Sequence, residues 1–404
     1  MSSNGTDVTI FGAGMSGLIA AVNLAREGYS VTVHEKEPGY GGSQLYNPST
    51  HVTPLDLEKT SEYIGIDISP AFHQVLACPA YFHETKVMLP VNGIYAVERG
   101  NRPTSLDTLL YKECEGLPIS FEFNSKLDKE TLSDLPPNSI IACGLIPSAY
   151  EMLDIPYLPW YGWISRGEIG IGSYAWLWFD ECISEYGYLS AVNNYYFNLL
   201  FSIRKVERSC LDKYTAFMVR NEGIEHPDWE YTSGAVPLAR PDNPRLFWND
   251  AVLCGTMSGA MDPMLWFGIS GALVTGKVAA LAITDRAKAE AEFHRFTRRF
   301  RENYIVKNQL WYRFVRPNVS AMEKTIKVLG VPTVERIGKL LEEGKLPFRS
   351  AIAGRISFIR GSFGSYSLLR EMFFESLSCA TSSVTLLAFQ IAASIPPEDT
   401  CVLV

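Results

Sequence analysis

The chain is poor in the features that announce metal, disulfide, membrane or nucleic-acid chemistry. Its eight cysteines, at 78, 114, 143, 182, 210, 254, 379 and 401, form no Cys-x-x-Cys or Cys/His cluster. Neither a structural metal site nor a disulfide framework is indicated, and reduced thiols in a cytoplasmic compartment are expected. The six histidines show no His-Glu-x-x-His spacing, so that route to a metal is missing as well. No apolar run reaches the roughly 18–20 residues that cross a bilayer. The nearest, 383–395, reads as a buried helix that at most lies against a membrane surface. The polar stretch Met1–Asp7 leads straight into an apolar strand, leaving no room for a signal peptide. The terminal Cys401–Val404 fits a prenylation box only loosely. Positive charge is in deficit: 36 Lys and Arg against 44 Asp and Glu give a net charge of −8. A protein that binds nucleic acid usually needs a basic surface, so nucleic acid is set aside as main partner. No internal repeat is visible.

What the sequence does have is an ordinary enzyme-sized core, with 404 residues of which 47% are hydrophobic, and one informative opening stretch. Val8–Phe11 is a short apolar strand. Gly12, Gly14 and Gly17 then give Gly-x-Gly-x-x-Gly, and the helix that follows places Leu18, Ile19, Val22 and Leu24 on its buried side. Gly12 permits the tight turn, Gly14 lets backbone N–H groups approach a pyrophosphate, and Gly17 lets helix and strand pack closely. The phosphates sit at the positive end of the helix. Gly28 ends the helix, a second strand follows, and Glu35 stands at its tip, where an acid takes ribose hydroxyls. That acid repels a 2′-phosphate and disfavours NADP, leaving FAD or NAD. The candidate cofactor contacts here are Gly12, Gly14, Met15, Ser16, Gly17, Glu35 and Lys36. Gly42 and Ser43 join them, because the paired Gly41 and Gly42 bring backbone close to a ligand. A strand-ending glutamate before a Gly-Gly loop resembles the longer FAD motif of glutathione-reductase-like enzymes.

Further along, 43–55 reads as a polar, proline-punctuated active-site loop, and 56–68 as a helix with Leu57, Tyr63 and Ile64 inward. The stretches 86–90 and 93–99 alternate around Asn92-Gly93, a hairpin signal. Helical spacing at Leu106, Leu109 and Leu110 follows, then strands at 119–123 and 139–143, the latter stopping on Gly144. From 155 to 248 the composition turns aromatic and strand-forming, which predicts an antiparallel sheet. A strand at 250–256, a loop at 257–263 and a glycine- and alanine-rich helix at 268–282 return to the first domain. The helix over 285–301 carries six basic residues on what reads as a solvated face, with an acidic redox partner or an anionic lipid surface as the sharper reading. A helical cap is expected beyond 304.

The order of these elements resembles the geranylgeranyl reductase-like family, within the p-hydroxybenzoate-hydroxylase-type FAD oxidoreductases. It rests on the opening motif, Val97-Glu98-Arg99 before a helix, and Gly255-Thr256, Asp262-Pro263 and Phe267-Gly268-Ile269-Ser270-Gly271 before the long helix. The resemblance implies an α/β fold: a Rossmann-type FAD-binding domain with an inserted antiparallel-sheet substrate domain and a helical C-terminal region. The expected domains are 5–154 and 249–284 for FAD, 155–248 for substrate, with the 80–98 hairpin able to join it, and 285–404 as the cap. It also implies cofactor contacts at Arg99, Gly144, Gly255, Thr256, Asp262, Gly268 and Ile269. Gly268 and Ile269, at a helix N-terminus, can direct N–H groups at the flavin N1–C2=O edge. Thr256 stands where the family has aspartate. Tyr46 stands where prenyl reductases carry cysteine, and with His51 it is a proton-donor candidate. Trp176, Trp178, Tyr186, Tyr188 and Trp266 are the expected substrate-pocket residues.

The activity this implies is flavin-dependent reduction or desaturation of a carbon–carbon bond in an apolar prenyl, aromatic or polyene substrate. An aromatic monooxygenase and a catalytically altered flavin carrier are the alternatives. The electron donor would be NAD(P)H or a ferredoxin-like protein, and any membrane contact peripheral.

Overall fold

The computed structural model describes residues 7–342, apart from 171, 227 and 239. The expected helix at 383–395 and the terminal Cys401–Val404 lie outside them. Three sheets organise the chain. The first is six-stranded, in the order Phe247–Trp248, Ala251–Leu253, Ser139–Ile141, Asp7–Phe11, Ser30–Glu35, Ile119–Phe123. It is parallel except for the short Phe247–Trp248 edge. Its central strands are closed to water on both faces, as apolar parallel strands require. The helices Met15–Arg26 and Ile269–Thr284 cover it, and both are buried along nearly their whole length. Alanine and glycine in the second let the two backbones approach: a Cβ at Gly276 would lie 2.7 Å from the Ser16 carbonyl oxygen.

The second sheet is seven-stranded, ordered Glu230–Pro237, Tyr157–Glu168, Tyr195–Ser202, Tyr186–Val192, Tyr174–Phe179, Pro79–Phe82, Thr85–Met88. It is antiparallel except where Tyr174–Phe179 runs parallel to Pro79–Phe82. One face is covered by the helix Arg208–Glu222, and the other looks toward the first domain. The third sheet has three strands, with Ile94–Arg99 between Ser49–Pro54 and Phe72–Gln74. The helices Arg286–Val306, Val319–Leu329 and Val331–Glu342 close the far side.

Several expectations are corrected. The hairpin around Asn92-Gly93 does not form. The chain turns there, with the Ile94 N–H donating to the Val91 carbonyl at 3.1 Å, but the flanking strands go to different sheets. Thr85–Met88 pairs instead with Pro79–Phe82, while Ile94–Arg99 takes partners on both edges. Pro90 offers no backbone donor, so pairing could not continue through it. Half of the expected 43–55 loop is the strand Ser49–Pro54, and the helix expected over 56–68 stops after Ile64 at the left-handed Gly65. Cys182 and Cys210 form a disulfide, with Cα atoms 5.7 Å apart, against the expectation of reduced thiols. A pairing 28 residues apart in sequence carries no local signal. Among the described residues, no helix is long and apolar enough to cross a membrane.

Candidate functional site

One cavity, of about 380 Å³, runs from the glycine turn of the first sheet to the inner face of the second. At its first end the three glycines divide their work as their spacing implies. Gly12 has φ +118°, and a Cβ there would lie 2.5 Å from the Ala142 carbonyl oxygen; one at Gly17 would lie 2.0 Å from that of Gly12. A Cβ at Gly14 would meet nothing within 4 Å, so this position is kept open toward the cavity. Gly14 also caps Met15–Arg26 without a side-chain hydrogen bond, which leaves first-turn N–H groups free for phosphate oxygens.

Glu35 is buried at the end of its strand. Its carboxylate accepts the Ala13 N–H at 2.7 Å and the Glu37 N–H at 3.0 Å, and burial raises its pKa above the ordinary carboxylate range. Lys36, Gly42 and Ser43 line the same end. His34, Ser125 and Lys126 belong there too and were missed. His34 stacks on Phe11 with ring centres 5.1 Å apart and shares a 2.9 Å hydrogen bond with Ser125 Oγ. The signal for Ser125 was available: the strand Ile119–Phe123 pairs in parallel with Ser30–Glu35 and delivers its next residues beside the acid.

In the middle of the cavity Arg99, Gly144, Gly255, Thr256, Gly268 and Ile269 come together from four segments. Arg99 is held by a two-pronged contact to Asp107, Nε–Oδ2 2.7 Å and Nη2–Oδ1 3.0 Å. Thr256 Oγ1 is buried with no hydrogen-bond partner in the protein, an acceptor and donor left over for a ligand. Gly268 caps the helix Ile269–Thr284 without a side chain, so a second helix N-terminus faces the cavity with free N–H groups. Asp262 does not line the cavity. Its Oδ1 accepts the Met264 N–H at 2.9 Å and its Oδ2 accepts Asn303 Nδ2 at 2.7 Å, so it orders the loop from outside. Gly17 is likewise behind the cavity wall, as close helix–strand packing demands.

The far end is a chamber lined by Cys78, Leu89, Ala175, Leu177, Phe197 and Phe201 with Tyr186, Tyr188 and Trp266. Trp176 and Trp178 depart from expectation. Successive residues of a strand point to opposite faces, so Ala175 and Leu177 face the chamber while the tryptophans turn to the helix Arg208–Glu222. There Trp178 packs 5.2 Å from the Tyr214 ring and 6.0 Å from Phe217. The aromatic stretch carried no cue to which alternate set faces inward.

Of the two proton-donor candidates, Tyr46 donates to the Ser233 carbonyl at 3.2 Å, and burial pushes its phenol up to about 12. His51 also lines the cavity, its Nε2 2.9 Å from Ser49 Oγ. Burial, with help from the Arg99 charge, pushes His51 down to about 3. It is neutral at physiological pH, so its imidazolium is not at hand as an acid. A pH dependence follows. The unfolded chain's histidine takes a proton near pH 6.5, which the folded one refuses until about pH 3. This contribution to stability is therefore complete above the unfolded value and is lost as pH falls from about 6.5 toward 3. Denaturation at pH 7 and pH 5 should show a smaller loss in His51→Asn than in the parent.

A second cluster lies away from the cavity. His83, Asp180 and Glu181 offer donor atoms within 4.8 Å of one another, a convergence the sequence spacing did not indicate. Lys213 Nζ pairs with Asp180 at 2.5 Å, and Glu181 Oε1 accepts the Ser320 N–H at 2.8 Å. The cluster joins the second sheet to the helix Val319–Leu329 through the Ser320–Glu181 hydrogen bond and a 3.4 Å contact between His83 Nδ1 and Glu323 Oε2.

Comparison with known proteins agrees with this geometry. Residues 10–54 match the NAD(P)-binding Rossmann-like domain family. A flavin-containing monooxygenase of Arabidopsis thaliana is 42% identical over 57 residues, 14% of this chain and 12% of that protein. A second from the same plant is 25% identical over 135 residues, 33% of this chain and 29% of the relative. The matched region thus spans less than a third of these relatives' own length. Among solved structures, a geranylgeranyl bacteriochlorophyll reductase-like protein of Thermoplasma acidophilum superposes with a TM-score of 0.53 at 15% identity, covering 82% of this chain and 90% of that one. A p-nitrophenol 4-monooxygenase of Pseudomonas putida gives 0.52 at 12% identity, over 81% and 98%. A flavin-dependent halogenase gives 0.53 at 17% identity, over 78% and 66%. The chain has the fold of these flavin-dependent oxidoreductases, with a Rossmann-like domain at its start.

Proposed function

From a flavoprotein fold with both cavity-facing helix N-termini left uncapped, we propose that this chain is an FAD-dependent oxidoreductase acting on an uncharged, apolar or aromatic substrate. The preferred reaction is reduction, or in reverse desaturation, of a carbon–carbon bond. The observation that carries the substrate class is the charge map of the cavity. Glu35, Lys36, Lys126 and His34 lie toward the nucleotide end and Arg99 in the middle, already paired with Asp107, while the chamber is lined by aliphatic and aromatic side chains. A carboxylate placed in the chamber would be a buried charge without a partner, at a cost of several kcal/mol.

When bound, FAD supplies two-electron chemistry at its isoalloxazine ring. The protein's residues do the rest. The first turn of Met15–Arg26, open at Gly14, would hold the pyrophosphate, and Glu35 the adenosine ribose. Thr256 Oγ1, without a partner in the protein, would be available to the cofactor's linker. The free N–H groups at Gly268 and Ile269 would stabilise negative charge on the ring. The chamber excludes water. In the reducing direction Tyr46 Oη, which keeps its proton at neutral pH, delivers that proton to substrate carbon and regains one from solvent.

A second reading, monooxygenation of an aromatic substrate, is favoured by the same fold in the p-nitrophenol enzyme. One experiment separates them. With the flavin reduced by dithionite under anaerobic conditions, unsaturated neutral lipids should reoxidise it without oxygen. Reoxidation only on admission of oxygen, with a hydroxylated product, would replace the reductase reading by the monooxygenase. In the productive direction Tyr46→Phe should lower turnover about 10²-fold with unchanged flavin content; a full-rate variant would remove Tyr46 from the mechanism.

A further inference from the structure

Trp266 combines three features that set it apart. It lines the cavity beside Gly268 and Ile269. Its backbone is left-handed, with φ +57°, while the other described non-glycine residues of that kind are asparagines, one aspartate and one histidine. Its indole Nε1 is buried with no hydrogen-bond partner. A bulky side chain in left-handed backbone is strained and persists only where surrounding contacts impose it.

Those contacts are specific. The loop from Met261 to Phe267 is tied at the two residues that precede Trp266. The Leu265 carbonyl accepts the Tyr186 hydroxyl at 2.6 Å, and the Met264 carbonyl accepts Lys307 Nζ at 2.8 Å. Lys307 is wholly buried and ion-paired with Glu185 at 2.7 Å, while the Tyr312 hydroxyl occupies the other Glu185 oxygen. The ammonium also lies 5.5 Å from the centre of the Trp266 ring, 5.3 Å from that of Trp311 and 5.2 Å from that of Tyr312. A fully buried ion pair seldom adds net stability over apolar packing. What this one does is fix a carbonyl two residues before the strained tryptophan.

Resting on the flavin reading above, we propose that Trp266 is the specificity-determining wall between the cofactor's ring end and the substrate chamber, and that the Glu185–Lys307 pair is its positioning latch. The wall limits the bulk of a neutral aromatic substrate that can lie beside the ring. The ring of Phe201, 6.1 Å away and edge-on, backs it from the chamber side.

The test uses the full chain loaded with FAD and three neutral probes of rising bulk: benzyl alcohol, naphthalenemethanol and anthracenemethanol. Binding is read from perturbation of the flavin absorption. Trp266→Ala should shift the affinity ratio at least tenfold toward anthracenemethanol. Trp266→Gly should do the same, and being free of left-handed strain it supplies a folded variant if alanine does not. The charge-neutral pair Lys307→Met with Glu185→Leu should move the ratio in the same direction while FAD affinity stays within threefold of the parent. An unchanged ratio in flavin-loaded Trp266→Ala or Trp266→Gly overturns the wall, and an unchanged ratio in the double variant overturns the latch. A parent protein that takes up no FAD refutes the cofactor reading instead, which is distinguishable because flavin content is measured first.

Discussion

Gly14→Val is expected to give a folded protein that does not hold flavin, while Gly17→Val is expected not to fold stably. The two glycines sit three residues apart in one motif, and the difference lies wholly in what surrounds them. At Gly14 a Cβ meets nothing within 4 Å, and the backbone, with φ −83° at the helix cap, suits any L-residue. The cost to the apoprotein is therefore that of a poorer N-cap, about 1 kcal/mol. The branched side chain would, however, fill the place where pyrophosphate oxygens must approach the N–H groups, so FAD affinity should fall by about 100-fold or more, near 2.7 kcal/mol. At Gly17 the Cβ lies 2.0 Å from the Gly12 carbonyl oxygen, and that atom is backbone in a tight turn that cannot move aside. Overpacking there should cost about 3 kcal/mol or more. Chemical denaturation of the apoproteins and flavin absorbance after reconstitution measure both halves. A Gly14→Val protein that binds FAD as tightly as the parent would show that the phosphates do not sit at this helix.

The second large effect is on stability. Lys307→Met alone should lose about 3–5 kcal/mol, because Glu185 is then a buried carboxylate without its counter-ion. In the parent, burial pushes the Lys307 ammonium down from its ordinary pKa while the Glu185 charge holds it up. Adding Glu185→Leu should recover most of the loss, since the neutral pair leaves no charge to desolvate. Urea titrations of the parent, the single and the double variant at pH 7 test this, and a double variant as unstable as Lys307→Met alone would remove Glu185 as the cause.

How much of the site could be read in advance follows from where its determinants lie. The cradle was legible because its residues are close in sequence and follow a spacing set by the turn itself, although the Ala142 carbonyl that also crowds Gly12 comes from a distant strand. The middle of the cavity was legible only through family resemblance, since Arg99, Gly144, Thr256 and Gly268 arrive from separate segments. Asp262 was expected among the cofactor contacts, whereas it orders the loop, and the asparagine that holds it, Asn303, comes from a helix 41 residues away. Trp176 and Trp178 were misplaced because a strand of aromatic and aliphatic residues alone has no polar alternation to mark its faces. The strand Ser49–Pro54 was read as loop because Pro48, Pro54 and its polar residues mask a strand whose partner, Ile94–Arg99, lies about 45 residues on.

By itself the sequence determined the nucleotide-binding unit, the insertion of an aromatic sheet domain and the return of the chain to the first sheet, all set by local periodicity and by glycines whose roles are local. Only the tertiary structure decided which aromatic residues line the chamber, that His51 is held neutral, that Cys182 meets Cys210, and that a buried lysine braces Trp266. Each of these depends on which distant side chain ends up within a few ångströms, and on the desolvation that follows. Neither quantity is encoded in any single stretch of the chain.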